Sequence, residues 1–447
     1  MSNKTSTSKR EEKHVKNSEK QSKNKKQELS VANLEELIRN RVSTRYNVIT
    51  GKNECRWFEI PGEELPVDVS GTGEFSSEWH DMTDREENSL WTIVNRDGKW
   101  RLIDVNTMLR SSMTPQWNPL KEFILEASVH ADFDSDPIAD LASHVHVKAT
   151  HPGQTDEEAQ QEFVSYFKRW LVASVASVFC NDVVNNVILV LIGEQGTYKS
   201  TFFQYLLPQE LRRYFYVKTD NTVLNKDDRL QLTRNMFVCL EELDAMSNKE
   251  QNQLKAMVTM PVIQDRPAYA RNFVNLAHVA SMCGTGNNES FLNDPTGSRR
   301  WLPFLVDHID DPRSYATDYY KLYAQAFFLY GSSFRYWFTR EEIIHLNERN
   351  KQFETPSIEE QLISKYYALT DTDYSGTWVN AATILEKING GIKKPLSVNR
   401  VGQVMKKMGF ESIRTKHGKS YHVLERKIID IDEYQKTRPL EDTDQPF

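Results

Sequence analysis

The chain has 447 residues, of which 27% are charged and 39% apolar, and its formal net charge is −7. This composition is typical of a globular protein with two or three domains. No apolar run approaches the ~20 residues that a membrane-spanning helix needs, and the polar N-terminus lacks a secretory signal core. Cys55, Cys180, Cys239 and Cys283 form no Cys-x-x-Cys pair, so we expect free thiols in a reducing cytoplasm.

The charge is distributed unevenly along the chain. Residues 1–28 carry nine Lys or Arg against four Glu, and residues 377–427 carry eleven against three. We expect residues 1–30 to be a disordered basic tail, because they contain almost nothing to bury. This tail could contact nucleic acid or simply keep the chain soluble. Residues 428–447 form an acidic tail. A basic segment on an acidic chain indicates a local contact with a polyanion.

Residues 31–150 have a mixed pattern and are predicted to form an accessory or collar domain. A helix is expected over residues 33–41, and strands around residues 57–60 and 90–94. The sequence shows no catalytic constellation in this region. Its tryptophans are interpreted as packing residues, as scattered aromatic side chains usually are, and they are Trp79, Trp91, Trp100 and Trp117.

One long helix is predicted over residues 155–180. Acidic residues fill its first turn, as helix N-termini prefer, and a large apolar face follows at helical spacing. The residues on that face are Phe163, Phe167, Trp170, Leu171 and Val178. We interpret residues 151–184 as a helical linker that leads into a nucleotide-binding domain over residues 185–354.

An apolar run over residues 187–192 continues into Gly193-Glu-Gln-Gly-Thr-Tyr-Lys-Ser-Thr201. This pattern predicts a buried strand, a glycine-containing loop and a helix, which together direct backbone N–H groups and a lysine at a polyphosphate. Tyr198 replaces the usual glycine, which allows close approach to phosphate. An ordinary strand–turn–helix is the alternative. The predicted nucleotide-binding residues are Gly193, Glu194, Gln195, Gly196, Thr197, Tyr198, Lys199, Ser200 and Thr201.

Two further apolar runs end in polar residues. Residues 236–240 lead into Glu241 and Glu242, and carboxylates can bind Mg²⁺ or orient a water for hydrolysis. We predict that Ser200 and Glu241 hold Mg²⁺ and that Glu242 positions the water. Residues 276–283 lead into a Gly-Thr-Gly-Asn-Asn turn, where Asn287 is the candidate for holding the water or sensing the γ-phosphate. Ordinary turn chemistry explains the same residues.

Two groups of basic residues follow these motifs. Arg299 and Arg300 are candidates for an arginine finger that reaches a neighbouring subunit's nucleotide, with a simple surface pair as the alternative. His278 is interpreted as a packed core residue. The second group surrounds a predicted hairpin and suits a grip on single-stranded DNA, or equally an exposed turn. It consists of Lys255, Arg266, Tyr269 and Arg271.

Residues 355–427 are predicted to form a small C-terminal domain with the order helix, helix, hairpin. This order resembles a winged helix, whose second helix enters the major groove while the hairpin contacts the DNA backbone. A winged helix that binds protein is the alternative. Four residues of the second helix are predicted to face inward, namely Val401, Val404, Met405 and Met408. The predicted DNA contacts are Asn399, Arg400, Lys406, Lys407, Arg414, Lys416 and Lys419.

Taken together, residues 40–357 resemble the virulence-associated protein E family. That family is similar to the superfamily-three, AAA+-type helicases and primase-helicases of phages and mobile elements. The resemblance rests on the order of several short motifs. These are Arg45-Tyr-Asn-Val-Ile-Thr50, Trp117-Asn-Pro-Leu120, Gln195-Gly-Thr-Tyr-Lys-Ser-Thr201, Leu206-Leu-Pro208, Glu241-Glu-Leu-Asp244, Leu254-Lys255, Gly284-Thr-Gly-Asn-Asn288 and Gly297-Ser-Arg-Arg-Trp-Leu-Pro-Phe304.

The resemblance implies an α/β fold with a P-loop, AAA+-type parallel sheet flanked by helices. The sequence pattern outside this core predicts an N-terminal mixed α/β region and the C-terminal winged-helix domain. The resemblance also implies ATP- and Mg²⁺-dependent unwinding or translocation of single-stranded or forked DNA. The expected partners are further copies of the chain, with a hexamer as the candidate assembly, and replication proteins. Tyr198 departs from the family pattern, and Glu241 stands where aspartate is frequent. No polymerase-type carboxylate triad precedes the loop, so primase activity is not expected.

Two other classes of function fit the same residues. One is an ATP-gated initiator or regulator that assembles on DNA without unwinding it, which Tyr198 favours. The other is a structural adaptor that recruits a host helicase, which predicts no nucleotide binding at all.

Overall fold

The computed structural model describes residues 31–59, 77–96, 100–132, 134–151, 153–219, 225–265, 273–292, 298–370, 376–389, 396–415 and 418–426. The helices in these ranges are α1 (31–39), α2 (Asp84–Val94), α3 (Leu102–Leu109), α4 (Pro119–Ala127), α5 (Pro137–Ser143), α6 (Asp156–Phe179), α7 (Lys199–Gln204), α8 (Lys226–Arg234), α9 (Asn248–Met257), α10 (Tyr319–Gly331), α11 (Arg340–Asn350), α12 (Ile358–Tyr366), α13 (Ala381–Ile388) and α14 (Val398–Lys407).

The strands are β1 (Val42–Asn47), β2 (Lys52–Trp57), β3 (His80–Asp81), β4 (Gln116–Trp117), β5 (Val145–Val147), β6 (Ile188–Ile192), β7 (Phe215–Lys218), β8 (Phe237–Leu240), β9 (Val262–Asp265), β10 (Val274–Ala277), β11 (Ser281–Gly286), β12 (Trp301–Ile309), β13 (Tyr367–Ala368), β14 (Thr377–Asn380), β15 (Ser412–Thr415) and β16 (Gly418–Glu425). The two predicted tails, residues 1–30 and 428–447, lie outside the described ranges.

A six-stranded sheet with the order β5-β12-β6-β11-β8-β7 forms the centre of the molecule. Five of its strands are parallel, and β5 is antiparallel at one edge. Every residue of β6 and β8 is buried, as expected for parallel strands that are covered on both faces. The carboxyl ends of the parallel strands therefore meet along one edge of the sheet, which is where open α/β sheets bind ligands.

The predicted helix over residues 155–180 is confirmed as α6. Thr155 and Glu158 form a capping box at its start. The Trp170 indole packs against Phe237 and donates a 3.1 Å hydrogen bond to the Met282 carbonyl, so α6 lies directly on the central sheet. Because β5 also pairs with β12, the sheet extends upstream of the expected domain boundary at residue 185. A strand of three residues is too short to show a period in the sequence.

The N-terminal unit has its own sheet, with the order β3-β2-β1-β4, and its own core between that sheet and α1–α3. The predicted strand over residues 90–94 is wrong, because these residues form the end of α2. Thr83 and Glu86 cap that helix, and its acidic first turn favours the N-terminus. Leu90 and Val94 are buried one helical turn apart. The sequence analysis predicted a strand because residues 90–94 form a nearly continuous apolar run, in which the helical spacing of Leu90 and Val94 is hard to recognise.

The N-terminal sheet contacts the central sheet through Asn47. Its side-chain amide donates 2.7 Å hydrogen bonds to Glu54 within the N-terminal unit and to the hydroxyl of Tyr214. Tyr214 immediately precedes β7, the edge strand of the central sheet. Arg213 also lies 3.4 Å from the Glu54 carboxylate. A buried polar contact therefore joins the two sheets.

The third predicted run, residues 276–283, is divided between two sheets. β10 pairs with β9 in a separate antiparallel hairpin, and β11 begins only at Ser281 in the central sheet. His278 lies between the two strands and is 1% exposed, with Nδ1 2.8 Å from the Met260 carbonyl. Burial lowers the pKa of His278. This matches its interpretation as a packed core residue.

The C-terminal unit consists of α12–α14 around an antiparallel sheet in which β16 pairs with β13, β14 and β15. The predicted order of helix, helix and hairpin is observed after residue 380. Val401, Val404 and Met405 are buried in its core, and Met408 packs against them half-buried. No helix in the described part of the chain is long and apolar enough to cross a membrane.

Candidate functional site

Three adjacent strands bring the predicted phosphate loop, the two glutamates and the asparagine turn together. β11 lies between β6 and β8, and Gly193 N–H donates a 3.2 Å hydrogen bond to the Gly286 carbonyl. The strand ends surround a cavity of about 370 Å³. It is lined by residues 195–201, Glu241, Glu242, residues 285–287 and Arg313.

The backbone of the loop between β6 and α7 requires special conformations at several positions. A Cβ on Gly193 would lie 2.9 Å from the Val306 carbonyl oxygen, so only glycine fits there. Tyr198 has φ 59° and ψ 16°, the left-handed conformation that glycine normally supplies. This conformation costs a non-glycine residue about 1–2 kcal/mol. The Tyr198 side chain is 39% exposed and lies in the cavity wall, so space for a ligand remains.

The Lys199 ammonium lies at the centre of the loop. It donates hydrogen bonds of 2.8 Å and 2.6 Å to the carbonyls of Gly193 and Glu194, and the Asn287 amide oxygen lies 3.5 Å away. Burial lowers the pKa of Lys199, while the nearby Asp244 carboxylate opposes this shift. A bound phosphate oxygen could replace these carbonyl contacts. Its attraction to the Lys199 ammonium would be stronger here than in bulk water, because burial partly excludes water from the loop.

Ser200 and Glu241 form a pair of hard oxygen donors beside this lysine. The Ser200 hydroxyl donates a 2.6 Å hydrogen bond to Glu241 Oε1. Hydroxyl and carboxylate oxygens are ligands that suit Mg²⁺, which also takes oxygens from nucleotide phosphates. The pair therefore fits the metal predicted from the sequence.

Glu242 lines the same cavity from the end of β8. Its φ is 53°, and Glu242 and Tyr198 are the two non-glycine residues with positive φ in the described ranges. Such conformations are costly and concentrate at functional sites. Here the conformation turns the chain sharply after the buried strand and leaves Glu242 exposed at the cavity, while Leu243 next to it is fully buried.

Two residues in or beside the cavity were missed in the sequence analysis. Asp244 accepts a 3.4 Å hydrogen bond from the Asn287 N–H. Its negative charge also raises the pKa of Lys199 and so opposes the effect of burial. Arg313 follows β12 and reaches the cavity from the loop beyond that strand. No motif surrounds Arg313, so only the position of β12 beside β6 reveals it.

Arg299 and Arg300 lie at the opposite end of the central sheet, where the parallel strands begin. They precede β12, whose first residue Trp301 pairs with Ile188 at the start of β6. The length of β6 separates them from the loop of the same chain by roughly 15 Å. Arg299 is exposed, and Arg300 is half-buried, with burial and Arg299 both lowering the Arg300 pKa. The structure therefore does not bring either arginine to its own chain's cavity.

The predicted hairpin is observed as β9 and β10, and one of the four residues predicted to contact DNA around it lies in the described part of the chain. Arg266, Tyr269 and Arg271 lie outside the described residues. Lys255 is located on α9 and is 4% exposed, which corrects the expectation of an accessible cation. Its neighbour Leu254 belongs to the central core, so the helix face that carries both residues is directed inward.

All six of the described C-terminal residues predicted to contact DNA lie at the surface. These exposed residues are Asn399, Arg400, Lys406, Lys407, Arg414 and Lys419. Arg400 Nε lies 3.6 Å from the Glu359 carboxylate, which partly neutralises it. Lys416 lies outside the described residues.

Lys407 has a different environment from its neighbour Lys406. Its ammonium lies 2.8 Å from Glu354 Oε2 and 2.7 Å from Glu360 Oε1. Both carboxylates are largely buried, and their hydrogen bonds raise the pKa of Lys407 despite its partial burial. This corrects the prediction that Lys407 is available for DNA, because its charge is already neutralised within the chain.

Comparison with known proteins gives three results. The C-terminal region of NrS-1 (residues 305–718), in an apo structure, is 12% identical with a TM-score of 0.42, and the match covers 87% of this chain and 97% of that one. A second solved structure, the A form of the same apo NrS-1 region, is 13% identical with a TM-score of 0.41. That match covers 86% of this chain and 96% of the other. No curated protein sequence matches. A little under half of the chain, residues 149–355, matches the virulence-associated protein E-like domain family, and this range contains the whole cavity described above.

Proposed function

We propose that this chain is an ATP-dependent DNA helicase or translocase that acts in the replication of a phage or mobile element. The observation that supports it best is the meeting of a lysine loop, a serine–carboxylate pair and a second glutamate at the carboxyl edge of a parallel sheet. The match of residues 149–355 to the virulence-associated protein E-like domain adds support, because the motifs by which this sequence resembles that family are similar to those of AAA+-type helicases. Such an enzyme works in the cytoplasm.

In this proposal the cavity binds ATP with Mg²⁺. The Lys199 ammonium contacts the β- and γ-phosphates, and Ser200 and Glu241 hold the metal. The Glu242 carboxylate orients the attacking water, and Asn287 contacts that water or the γ-phosphate. Phosphoryl transfer depends mainly on positioning and charge stabilisation, so these groups supply what the reaction needs.

Hydrolysis occurs between subunits in this proposal. Arg299 and Arg300 lie at the edge of the sheet opposite the cavity, so either could serve only a nucleotide bound by a neighbouring copy. Arg313 contacts the nucleotide of its own chain. This division of roles supports a ring-shaped homo-oligomer, with a hexamer as the candidate.

DNA engages the exposed basic surface of the C-terminal unit, which we interpret as a winged helix, and the hairpin of β9 and β10. In a winged helix α14 would lie in the major groove and β15 and β16 would contact the backbone. Asn399, Lys406, Arg414 and Lys419 are the exposed residues that would make these contacts. Replication proteins are further candidate partners.

A second function is favoured by Tyr198. The tyrosine holds a strained, glycine-like conformation in the wall of the cavity, which could permit ATP binding but slow its hydrolysis. The chain would then be an ATP-gated initiator that assembles on DNA without unwinding it.

The decisive measurement is ATP turnover by the full chain with and without single-stranded DNA, together with strand displacement on a forked duplex and the mass in solution. The helicase proposal expects DNA-stimulated turnover, displacement and an oligomer. Lys199→Ala and Glu242→Gln should each abolish turnover, while Glu242→Gln keeps ATP binding. Tight ATP binding with negligible turnover supports the initiator, and undiminished turnover in both variants would refute the assigned site.

A further inference from the structure

A second cluster of reactive side chains lies in the N-terminal unit, away from the nucleotide cavity. It consists of Cys55 on β2, His80 on β3 and Glu86 in the first turn of α2. Cys55 and His80 are opposite each other in the antiparallel pair of β2 and β3. Cys55 and Glu86 are 0% and 2% exposed, and the His80 side chain is 31% exposed.

The three donor atoms have nearly the spacing of metal ligands. Cys55 Sγ lies 3.6 Å from His80 Nε2 and 3.6 Å from Glu86 Oε1, and the last two atoms are 2.5 Å apart. Zn–S bonds of ~2.3 Å and Zn–N or Zn–O bonds of ~2.0–2.1 Å at tetrahedral angles place ligand atoms roughly 3.4–3.6 Å apart. Both sulfur distances meet this requirement, and a small movement of His80 from Glu86 would satisfy the third.

The surrounding contacts orient these donors. His80 Nδ1 lies 2.8 Å from the Glu78 carbonyl, which leaves Nε2 directed at Cys55 and Glu86. Metal-binding histidines are commonly held by such a carbonyl contact. Thr83 N–H and Oγ1 each donate a 2.9 Å hydrogen bond to Glu86 Oε2, so Oε1 is directed inward. The Trp57 indole N–H donates to that Oε1 at 3.0 Å.

The carboxylates of Glu54, Asp81 and Glu86 lie around the buried Cys55 thiol. The thiol is fully buried, and its sulfur lies 3.6 Å from the Glu86 carboxylate. The Glu54 and Asp81 carboxylates are neutralised by Arg45, Arg213 and Lys52. The Glu86 carboxylate has the His80 imidazole as its partner. A divalent cation between Cys55, His80 and Glu86 would stabilise the thiolate and the carboxylate together.

We propose that Cys55, His80 and Glu86 form a Zn²⁺ site with a water as the fourth ligand on the exposed side of His80. Binding displaces the thiol proton of Cys55 and, where the imidazole is protonated, the Nε2 proton of His80. Thiolate and imidazole donors select Zn²⁺ over Mg²⁺ or Ca²⁺, so this site is distinct in chemistry from the nucleotide-bound metal. The ion would join two strands and a helix.

Another cluster serves as an internal comparison. His146, His308 and Asp310 also lie close together, but His308 is exposed and Asp310 already contacts His144 at 2.8 Å. The rings of His146 and His308 are stacked with their centroids 3.9 Å apart. This cluster has no sulfur donor, so only the first cluster can give a thiolate–metal absorption.

The test uses the purified full chain loaded with Co²⁺ as a spectroscopic probe and with Zn²⁺ for stoichiometry. We expect a near-ultraviolet thiolate-to-cobalt absorption that one equivalent of Zn²⁺ abolishes. Cys55→Ser should remove this absorption and weaken Zn²⁺ binding by at least about 10²-fold, since even supporting residues around metal sites contribute 10–100-fold. Cys180→Ser and the double variant His146→Ala/His308→Ala should leave the absorption unchanged.

Stability gives an independent result. A chelator should lower the melting temperature of the wild-type chain but not that of Cys55→Ser, which is nearly isosteric and should fold. If Cys55→Ser does not fold, His80→Gln replaces it in both measurements. Absence of the cobalt absorption, or Zn²⁺ uptake that is equal in Cys55→Ser and the wild type, would show that the cluster is only a His80–Glu86 ion pair beside a packed thiol.

Discussion

The Ser200 hydroxyl donates a 2.6 Å hydrogen bond to Glu241 Oε1, which links the first turn of α7 to the end of β8. The two residues are separated by β11 in the sheet, so this contact depends on the order of three strands. It holds two oxygen donors together before any metal binds. In the Mg²⁺ site that we propose, this arrangement would lower the entropic cost of bringing ligands together from separate elements.

Removing the serine hydroxyl should therefore raise the Mg²⁺ requirement. We expect Ser200→Ala to hydrolyse ATP at least about 10²-fold more slowly at limiting Mg²⁺, a loss comparable to removal of one positioned group. Ser200→Thr retains the hydroxyl and is the matched control. Turnover measured against Mg²⁺ concentration checks this. An identical Mg²⁺ profile in Ser200→Ala would exclude the serine from the metal site.

The two sets of arginines should behave differently when variant chains are mixed. Arg299→Ala/Arg300→Ala and Lys199→Ala chains should each be inactive alone, because an arginine finger contributes about 10³–10⁵-fold to phosphoryl transfer. Mixed in equal amounts, they should recover activity, since about one quarter of the interfaces in a randomly mixed ring combine an intact lysine with an intact arginine pair.

Arg313 supplies the control for that experiment. Arg313→Ala chains mixed with Lys199→Ala chains should recover no activity, because both residues serve the same cavity and every site then lacks one of them. ATP turnover as a function of the mixing ratio gives the result. Recovery of activity with Arg313→Ala would mean that Arg313 acts on a neighbouring subunit's nucleotide. No recovery with the Arg299→Ala/Arg300→Ala chain would mean that this pair does not act between subunits.

Substitutions of Tyr198 test how much the strained backbone of the loop lowers the free energy of unfolding. Glycine adopts a φ of 59° without penalty, so Tyr198→Gly should raise the free energy of unfolding by up to about 1 kcal/mol, reduced by the greater freedom of glycine in the unfolded chain. Tyr198→Phe keeps the strain and should leave stability unchanged. Chemical denaturation of both variants measures the difference. A Tyr198→Gly variant less stable than Tyr198→Phe would mean that side-chain contacts outweigh the strain.

The sequence predicted the cavity residues better than the surfaces around them. Lys199, Glu241 and Asn287 each follow a buried parallel strand, so their local pattern was enough to locate them. Arg313 has no such pattern and enters the cavity only because β12 lies beside β6. Lys407 looked like Lys406 because both occupy the polar face of α14, and only tertiary contacts with Glu354 and Glu360 distinguish them.

Elements were mispredicted where local patterns conflicted with longer ones. Residues 90–94 have the composition of a strand, yet the capping box at Thr83 places them in a helix. Residues 276–283 read as one apolar run, although β10 and β11 belong to different sheets. In the first case a helix signal outside the short apolar run decides the structure, and in the second the tertiary context overrides the local signal.

Glu342 predicts a specific acid sensitivity. A 2.8 Å hydrogen bond from Arg169, supported by the Thr339 N–H, lowers the pKa of Glu342 to about 2 despite some burial. A carboxylate with a lowered folded-state pKa contributes stability above its ordinary pKa of 4.5, and this stability is lost as the pH falls towards 2. We expect Glu342→Gln to reduce the free energy of unfolding at neutral pH by about 1–3 kcal/mol.

The pH dependence distinguishes this carboxylate from its neighbour. The difference in stability between wild type and Glu342→Gln should shrink steadily as the pH is lowered from about 5 to about 2. Glu341→Gln, at an exposed position in the same helical turn, is the matched control and should show little change. Denaturation at several pH values measures both. A difference that stays constant with pH would indicate lost packing in place of a lost charge.

Lys406 and Lys407 give a test of DNA binding within one helix turn. Lys406→Ala should weaken DNA binding and reduce its dependence on salt by about one phosphate contact, because its exposed ammonium has no ion-pair partner among the described residues. Lys407→Ala should instead destabilise the C-terminal unit by about 1–2 kcal/mol, since it leaves the carboxylates of Glu354 and Glu360 without their cation. Binding titrations over a range of salt concentrations and thermal unfolding of both variants separate the two effects. A different outcome would be that Lys407→Ala reduces the salt dependence of DNA binding while its stability is unchanged. The ion pairs with Glu354 and Glu360 would then not form in the dissolved protein. In that case α14 would present a broader basic surface to DNA than the structure indicates.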